Sequence, residues 1–273
     1  MDNFFFPEEV PLVSSKPKTV SEEANKILDA SFKTEALRDY LGASSLGDTC
    51  ARRLQYQRLG ILPDVPFSGT QQRIFELGHV LEAIMAHWLR EAGFVLETVD
   101  PATQKPFEFE QASQGSHKNT VFWDGAGGQI RGHVDGILRD GPLDLKYPLL
   151  WEAKTMKASL WRDFVKHGCE ISHPRVLFSS AEWVGSHYFV QVQIYMAYLG
   201  LESCLLTALN KDTAEIHHEL ILFHAQVASN ASDRAVHILK ALENNEMLPR
   251  IATKQDYFEC KMCRFHKTCW EGE

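Results

Sequence analysis

The spacing of apolar residues along this chain changes from a helical period to an alternating one. Across residues 71–92 apolar side chains recur at steps of three and four residues, which predicts an amphipathic helix ending at Gly93. Across residues 129–138 apolar and polar residues alternate, which predicts a strand, and residues 143–154 are predicted to return beside it as the second strand of a hairpin. A chain that mixes both periods favours an α/β fold with a central mixed sheet flanked by helices.

Shorter segments with the same two periods complete the predicted order of elements. Further helices are predicted at residues 21–41, 48–59, 159–167, 181–199 and 224–244, and further strands at residues 94–99, 107–109, 204–209 and 216–223. Residues 112–128 are predicted to form a polar loop. We therefore predict an N-terminal tail and helix over residues 1–43 and one larger domain over residues 44–273.

The composition and charge exclude several classes of protein. The chain has 273 residues, 44% of them hydrophobic and 23% charged, so it can bury a sizeable core and is not a disordered chain. With 28 basic and 36 acidic side chains its formal charge is −8, which argues against a general nucleic-acid coat but permits an enzyme that touches DNA through one basic patch. No apolar run is long enough to span a membrane, and the N-terminus lacks the basic start of a signal peptide. We therefore predict a cytoplasmic protein without a membrane partner.

Two carboxylates and a lysine are predicted to meet on the hairpin. Asp135 lies on the first predicted strand, and Glu152 and Lys154, two residues apart, share one face of the second. Carboxylate oxygens are hard ligands suited to Mg²⁺ or Mn²⁺, and a metal held there can stabilise charge on a phosphodiester under attack. Glu82 of the long helix could supply a third carboxylate, because Gly78 on the same helical face lets a backbone come close.

These residues belong to four motifs that follow one another along the chain. The motifs are Gly78 with Glu82, Gly132-His133-Val134-Asp135, Glu152-Ala153-Lys154, and Gln191 with Tyr195, the last extended by Tyr188. In this order, and on these helices and strands, they resemble the RecB-like branch of the PD-(D/E)XK nucleases. The resemblance covers about residues 44–270, so the larger predicted domain is interpreted as a RecB-like nuclease domain.

The resemblance implies a restriction-endonuclease-like core with a divalent-metal site. Glu82, Asp135, Glu152 and the backbone carbonyl of Ala153 are implied to hold Mg²⁺ or Mn²⁺. Lys154 is implied to position the attacking water or to stabilise the transition state, so that Asp135, Glu152 and Lys154 form the catalytic set. Many members of the branch carry histidine where Glu82 stands, which leaves the choice of metal open.

The resemblance also implies contacts with DNA and a function. Gln191, Tyr195 and Tyr188 are implied to orient the site and to contact DNA. The implied function is that of a metal-dependent deoxyribonuclease, in particular an exonuclease acting at DNA ends or on single-stranded DNA, with helicase, recombination or CRISPR adaptation proteins as partners. Two alternatives stay open: a zinc- or cluster-stapled DNA-binding subunit without catalysis, and a structure-specific endonuclease on the same fold.

The spacing of the cysteines adds a separate constraint. Of six cysteines, Cys260, Cys263 and Cys269 crowd the C-terminal end while Cys50 lies near the other end. Without a signal peptide, such cysteines are better explained as metal or cluster ligands than as disulfides. Structural zinc usually draws on two local pairs, so a one-plus-three arrangement favours an iron–sulfur cluster over zinc. The arrangement resembles the iron–sulfur subset of the same branch, which includes CRISPR-associated adaptation exonucleases and AddB-type nuclease domains and in which four thiolates hold a 4Fe–4S cluster that joins the chain ends.

Basic residues flank the predicted cysteine ligands. Arg52, Arg53 and Arg58 follow Cys50, and Lys261, Arg264 and Lys267 lie among the C-terminal cysteines. If the two ends meet, these side chains are predicted to form a rim that contacts DNA phosphates. The alternative is a solvated set of surface charges.

Overall fold

A computed structural model describes residues 17–32, 38, 40–110, 130–171, 175–177 and 183–272. The predicted tail up to residue 16 and the whole of the predicted polar loop lie outside these ranges. The described residues form eight α-helices. They are α1 (Pro17–Ser31), α2 (Ala51–Arg58), α3 (Gly69–Glu91), α4 (Ala158–Ile171), α5 (His187–Leu199), α6 (Ala225–Glu243), α7 (Phe258–Lys261) and α8 (His266–Glu271).

Ten strands lie between these helices within the described ranges. They are β1 (Leu41–Gly42), β2 (Val95–Glu97), β3 (Glu108–Glu110), β4 (Ile130–His133), β5 (Gly136–Asp140), β6 (Leu149–Met156), β7 (Arg175–Leu177), β8 (Trp183–Ser186), β9 (Ser203–Asn210) and β10 (Ile216–Leu222). The predicted α/β architecture, with mixed sheets flanked by helices, is confirmed.

The largest sheet has five strands in the order β10-β9-β6-β5-β2. Its two central strands, β6 and β9, are parallel, and every other neighbouring pair is antiparallel. All eight residues of β9 are buried, as expected for a strand covered on both faces. Leu149 and Trp151 of β6 pack into one core with α3, whereas Leu150 and Met156 pack into another core with α4, α5 and α6.

The predicted first strand of the hairpin is two strands that belong to different sheets. Residues 130–133 form β4, which pairs with β1 and β3, whereas residues 136–140 form β5, which pairs with β6. Glycines permit close packing on both sides of the break, because a Cβ on Gly132 would lie 2.5 Å from the Phe109 ring and one on Gly136 would lie 2.7 Å from the Glu97 carbonyl oxygen. The alternation of residue types runs on through both strands, so the pattern could not show the break.

Three predicted helices are several residues shorter in the structure. The helix predicted at residues 21–41 ends at Ser31, and β1 pairs with β4 just before the predicted boundary at residue 43. The helix predicted at 48–59 begins at Ala51, because the Asp48 side chain accepts a hydrogen bond from the Cys50 backbone N–H and holds the preceding turn. The helix predicted at 181–199 contains β8 at its start, where pairing with β7 overrides the helical pattern.

The long helix α3 uses less of its apolar face than its sequence pattern predicts. Met85 and Leu89 in its C-terminal half join the core beside the central sheet. Ile74 in the N-terminal half is exposed, and so is Trp88, with 43% of its surface accessible. The helical period identifies a face but does not tell how much of that face meets another element.

None of the helices in the described ranges has both the length and the apolar character of a membrane span.

Candidate active site

An acidic site forms at the break between β4 and β5, next to β6. Gly136 of β5 pairs with Trp151 of β6, so Asp135 lies one residue beyond the paired register, beside Glu152. The backbone N–H of Ala153 donates a hydrogen bond of 2.8 Å to Asp135 Oδ2. The structure therefore brings together Asp135, Glu152, Ala153 and Lys154, as the sequence motifs predict for one site.

The two carboxylate oxygens of Glu152 have different surroundings. Glu152 is fully buried, with 0% of its surface exposed. Its Oε1 accepts hydrogen bonds from Lys154 Nζ and, at 2.6 Å, from Gln191 Nε2. Its Oε2 has no hydrogen-bond partner among the described residues. Since an unpartnered buried oxygen costs about 1–3 kcal/mol, Oε2 is a strong candidate for binding a cation.

Carboxyl groups are crowded around this oxygen, and their anionic forms repel one another. Burial and the nearby Asp135 carboxylate raise the pKa of Glu152 to about 8 and that of Glu82 to about 7. Burial opposes the charged form of Lys154, but Glu152 and Asp135 outweigh it and raise the pKa of the lysine. One ammonium group thus lies near three carboxyl groups, and a bound cation would favour the ionised forms of the two whose pKa is raised.

Glu82 reaches the site from α3 but lies apart from the other carboxylates. Its Oε2 is 3.9 Å from His79 Nδ1, one turn earlier on the same helix. Over the part of the chain that the structure describes, no three His, Cys, Asp or Glu side chains are grouped closely enough to form a ready-made metal site. The donors fit a hard cation in type, with Glu152 Oε2 unpartnered and Asp135 adjacent, and Glu82 would have to turn from His79 to join them.

The predicted DNA-contacting residues of α5 lie behind the acidic site. Gln191 and Tyr195 are buried, and Gln191 Nε2 also lies 3.2 Å from the Tyr195 hydroxyl oxygen. Their burial fits an orienting role for Glu152 and leaves little surface for DNA. Tyr188 is half-buried, and Lys154 Nζ lies 5.4 Å from the centre of its ring.

The four predicted cysteine ligands line one pocket. Cys50, Cys260, Cys263 and Cys269 are among the residues that line one small pocket, which is partly open to solvent. Burial, followed by the neighbouring Cys269 and Cys263, raises the pKa of the Cys260 thiol. The side chains at this pocket are thus mutually close, although the described thiols do not form a preassembled metal site.

Polar contacts join the two chain ends around this pocket. The Thr49 hydroxyl donates to the Glu259 carboxylate across 210 positions of sequence. Gln55 exchanges hydrogen bonds with the backbone of residues 246 and 248, at 2.9 Å and 2.8 Å. Asp64 accepts a 2.6 Å bond from the Thr268 hydroxyl. The described residues therefore hold the pocket together through their own contacts.

The arginines beside Cys50 belong to this junction. Arg52 is only 6% exposed, donates through Nε to the Leu248 carbonyl oxygen at 2.7 Å and approaches Cys269 Sγ with Nη1 at 3.8 Å. Arg53 forms an ion pair with Asp48 and lines the pocket. The predicted phosphate contact does not fit the burial of Arg52.

Arg250 also lines the pocket, and nothing in the sequence singled it out. Its Nε donates to the Cys269 carbonyl oxygen at 3.0 Å, and its guanidinium lies 4.6 Å from the centre of the Trp270 ring. Arg250 belongs to no motif and to no periodic pattern in the sequence, so only the folded chain reveals this contact.

No protein-family model and no curated protein sequence matches this chain. Among solved structures, the protein SSO0001 is similar at 18% identity, over 93% of this chain and 97% of its own, with a TM-score of 0.47. The alkaline exonuclease LHK-Exo from Laribacter hongkongensis is similar at 17% identity, over 81% of this chain and 93% of its own, with a TM-score of 0.48. The same exonuclease in complex with dAMP is similar at 17% identity, over 82% and 93% of the two chains, also with a TM-score of 0.48.

Proposed function

We propose that this protein is a divalent-metal-dependent deoxyribonuclease. The observation that carries the proposal is the buried, unpartnered Oε2 of Glu152 beside Asp135 and Lys154. A buried carboxylate oxygen without a partner is unfavourable, and a bound cation would supply that partner. These residues stand in the E-x-K and G-x-x-D motifs that resemble those of the RecB-like nucleases.

In this proposal Glu152 Oε2, Asp135, Glu82 and the carbonyl oxygen of Ala153 hold Mg²⁺ or Mn²⁺. A bound divalent metal would act as a Lewis acid and stabilise the negative charge that develops on a phosphodiester attacked by water. Because its pKa is raised, Lys154 stays protonated and acts as a cation and hydrogen-bond donor toward the scissile phosphate or the attacking water.

The chain's other polar residues fix the direction of the Glu152 carboxylate. Gln191 Nε2 and Lys154 Nζ both donate to Oε1, which leaves Oε2 as the oxygen that would be available to a metal. Such an arrangement orients a metal ligand before the metal arrives. Removing either donor would let the carboxylate rotate and lower metal affinity.

We propose DNA ends or single-stranded DNA as the substrate, on the basis of the motif resemblance. Two other functions use the same residues: a DNA-binding subunit without catalysis, and a structure-specific endonuclease. The presence of both Glu152 and Lys154 in one ion pair favours a catalytic site over a vestigial one.

The cysteine pocket is proposed to bind a 4Fe–4S cluster with a structural role, and zinc is the alternative. Four thiols from both chain ends line one pocket, which suits either metal centre in ligand type. The pocket is separate from the residues that handle the phosphodiester, and phosphodiester hydrolysis needs no electron transfer.

Cleavage of end-labelled DNA tests the proposed activity. Single-stranded, duplex and covalently closed circular DNA are incubated with Mg²⁺ or Mn²⁺ and wild-type protein, Lys154→Ala or Lys146→Ala. Lys146 is an exposed lysine paired with Glu202, and its variant serves as the control. We expect cutting of linear DNA by wild type and Lys146→Ala, and none with Lys154→Ala or with chelator.

Three results would redirect the proposal. Cutting of closed circles would favour the endonuclease. Metal-independent binding with no cutting of any substrate would favour the binding subunit. For the cysteine pocket, a colourless, anaerobically purified protein with stoichiometric zinc would replace the cluster by zinc.

A further inference from the structure

Two aromatic rings and a guanidinium group stack on the surface at the start of α3. The rings of Phe67 and Phe75 meet edge to face with their centres 5.0 Å apart. The guanidinium carbon of Arg264 lies 3.4 Å from the centre of the Phe67 ring, and Arg264 Nε donates to the Val65 carbonyl oxygen at 3.0 Å. Phe75 is 48% exposed, so a large part of this aromatic surface faces solvent.

This aromatic group lies along α3 from the acidic site. Phe75, Gly78 and Glu82 follow one another at steps of three and four residues, so they share one face of the helix. The separation of seven positions from Phe75 to Glu82 corresponds to roughly 10 Å of helix. Gly78 leaves the helix surface bare between them, and a Cβ built there would meet only Thr155 Oγ1 of β6, at 4.0 Å.

The chemistry of this surface matches that of an unpaired nucleotide. An exposed ring offers a stacking face to a base, and a guanidinium offers charge to a phosphate. Arg264 places this positive charge directly against the Phe67 ring, in a chain whose formal charge is −8. An apolar protein partner would need no such cation beside the rings.

We propose that Phe67, Phe75 and Arg264 form a stacking subsite for an unpaired base of the DNA strand whose phosphodiester is bound at the acidic site. The inference rests on the proposed nuclease function and adds to it a preference for a single strand. A paired base in a duplex keeps its faces covered by its neighbours, so it cannot stack on Phe75.

The subsite adjoins the cysteine pocket in the chain. Arg264 follows Cys263 directly, so the position of its guanidinium depends on the same segment that lines the pocket.

The test compares intact and abasic single strands. Binding is measured in the non-cutting Lys154→Ala background with Mg²⁺ and a set of short fluorescent oligonucleotides, each lacking one base at a different position. With Phe75 present, we expect loss of one particular base to weaken binding on the order of tenfold, as is typical for one base–aromatic stack. With Phe75→Ala, binding to the intact strand should be weaker by the same factor, and the abasic strand should bind no worse than the intact one.

Two further variants keep the result interpretable. Phe75→Leu retains the apolar contact with Phe67 without an aromatic face, so it should also lose the sensitivity to the missing base. Trp88→Ala removes another exposed aromatic ring on α3, thirteen residues and roughly 20 Å further along, and should behave like the parent protein. Thermal melting of each variant shows whether it folds.

The outcomes separate the subsite from the nuclease function. If wild type cuts single-stranded DNA but Phe75→Ala and Phe75→Leu keep the abasic sensitivity, the subsite is refuted and the nuclease stands. If Phe75→Ala weakens binding to duplex as much as to single strands, base stacking is also refuted. If wild type neither binds nor cuts any DNA, both proposals fail.

Discussion

The acidic site and the cysteine pocket are built in opposite ways. In the acidic site, Glu152 and Lys154 lie on β6 and Asp135 directly precedes the neighbouring strand β5, and hydrogen bonds between these residues fix their side chains. In the cysteine pocket, Cys50 and Cys263 come from distant parts of the chain, and backbone and side-chain contacts around the pocket join the two ends.

This difference indicates what each proposed metal centre would contribute to the protein. The acidic site has a rigid frame but unbalanced charge, so a cation there serves chemistry and relieves repulsion between carboxylates. The cysteine pocket already has polar contacts between its walls, so a cluster there adds a cross-link to an existing junction. Four substitutions test this contrast, from the largest expected effect to the smallest.

Glu152→Gln should nearly abolish cleavage while the domain stays folded. The amide keeps the shape of the side chain but removes the anionic Oε2, and loss of metal stabilisation worth several kcal/mol corresponds to a rate reduced on the order of a thousandfold. The measurement is single-turnover cleavage of single-stranded DNA in Mn²⁺, with circular dichroism as the check on folding. Glu91→Gln, at the exposed end of α3, is the control. A rate within tenfold of wild type would mean that Glu152 does not hold the metal.

Cys263→Ser should mainly affect stability. A cross-link that closes a long loop typically contributes about 2–4 kcal/mol, and we expect a loss of free energy of unfolding of that size, whereas the contacts between the ends keep the domain folded. Urea unfolding of anaerobically purified protein measures this loss. Met262→Ser, whose side chain is 73% exposed next to the cysteine, is the matched control. Equal stability of Cys263→Ser and Met262→Ser would contradict a cross-linking role.

Gln191→Leu should weaken metal binding by about 10–100-fold, because the Glu152 carboxylate loses one of the two donors that hold its Oε1. Titration of the cleavage rate with Mn²⁺ measures the change. Gln193→Leu is the matched control on the same helix: Gln193 is also buried, but it bonds to the Leu222 carbonyl oxygen and the His224 N–H, away from Glu152. A shift in metal dependence of the same size in both variants would point to a general effect of disturbing α5.

Arg52→Lys should have the smallest effect, a loss of about 1 kcal/mol in stability and a faster loss of iron in air. A lysine keeps the charge but cannot reach both the Leu248 carbonyl oxygen and Cys269 Sγ as the guanidinium does. Iron content is followed after exposure to air. Arg58→Lys, near the end of the same helix, is the control. If the two variants lost iron at the same rate, Arg52 would have no specific role at the pocket.

The elements with the strongest periods were predictable from the sequence, and their connections were less so. The helix at residues 71–92 and the strand at 204–209 were predicted within a few residues of α3 and β9. The break at Val134 and Asp135 was not, because alternation continues through β4 and β5 although they pair in different sheets. Residue types report which face is apolar, whereas strand pairing depends on neighbours far away in the chain.

In the candidate site, too, the sequence identifies the residue types, and the tertiary structure decides their contacts. The sequence singles out Glu152, Lys154 and Gln191 as chemically suitable residues at suitable spacings. It cannot tell that Glu152 Oε1 is held by two donors while Oε2 is left without a partner, or that Arg52 is buried against Cys269. Orientation and burial depend on the packing of α5 and of the two chain ends.

The amino-acid sequence alone thus determines the helical and strand periods, the residue types of the motifs and the separation of the cysteines along the chain. The long-range fold settles which strands pair, which carboxylate oxygen is free for a cation, and which four thiols share a pocket. The physical reason is that periodicity and side-chain chemistry are properties of neighbouring residues, whereas burial, hydrogen-bond partners and local charge arise only when distant segments pack together.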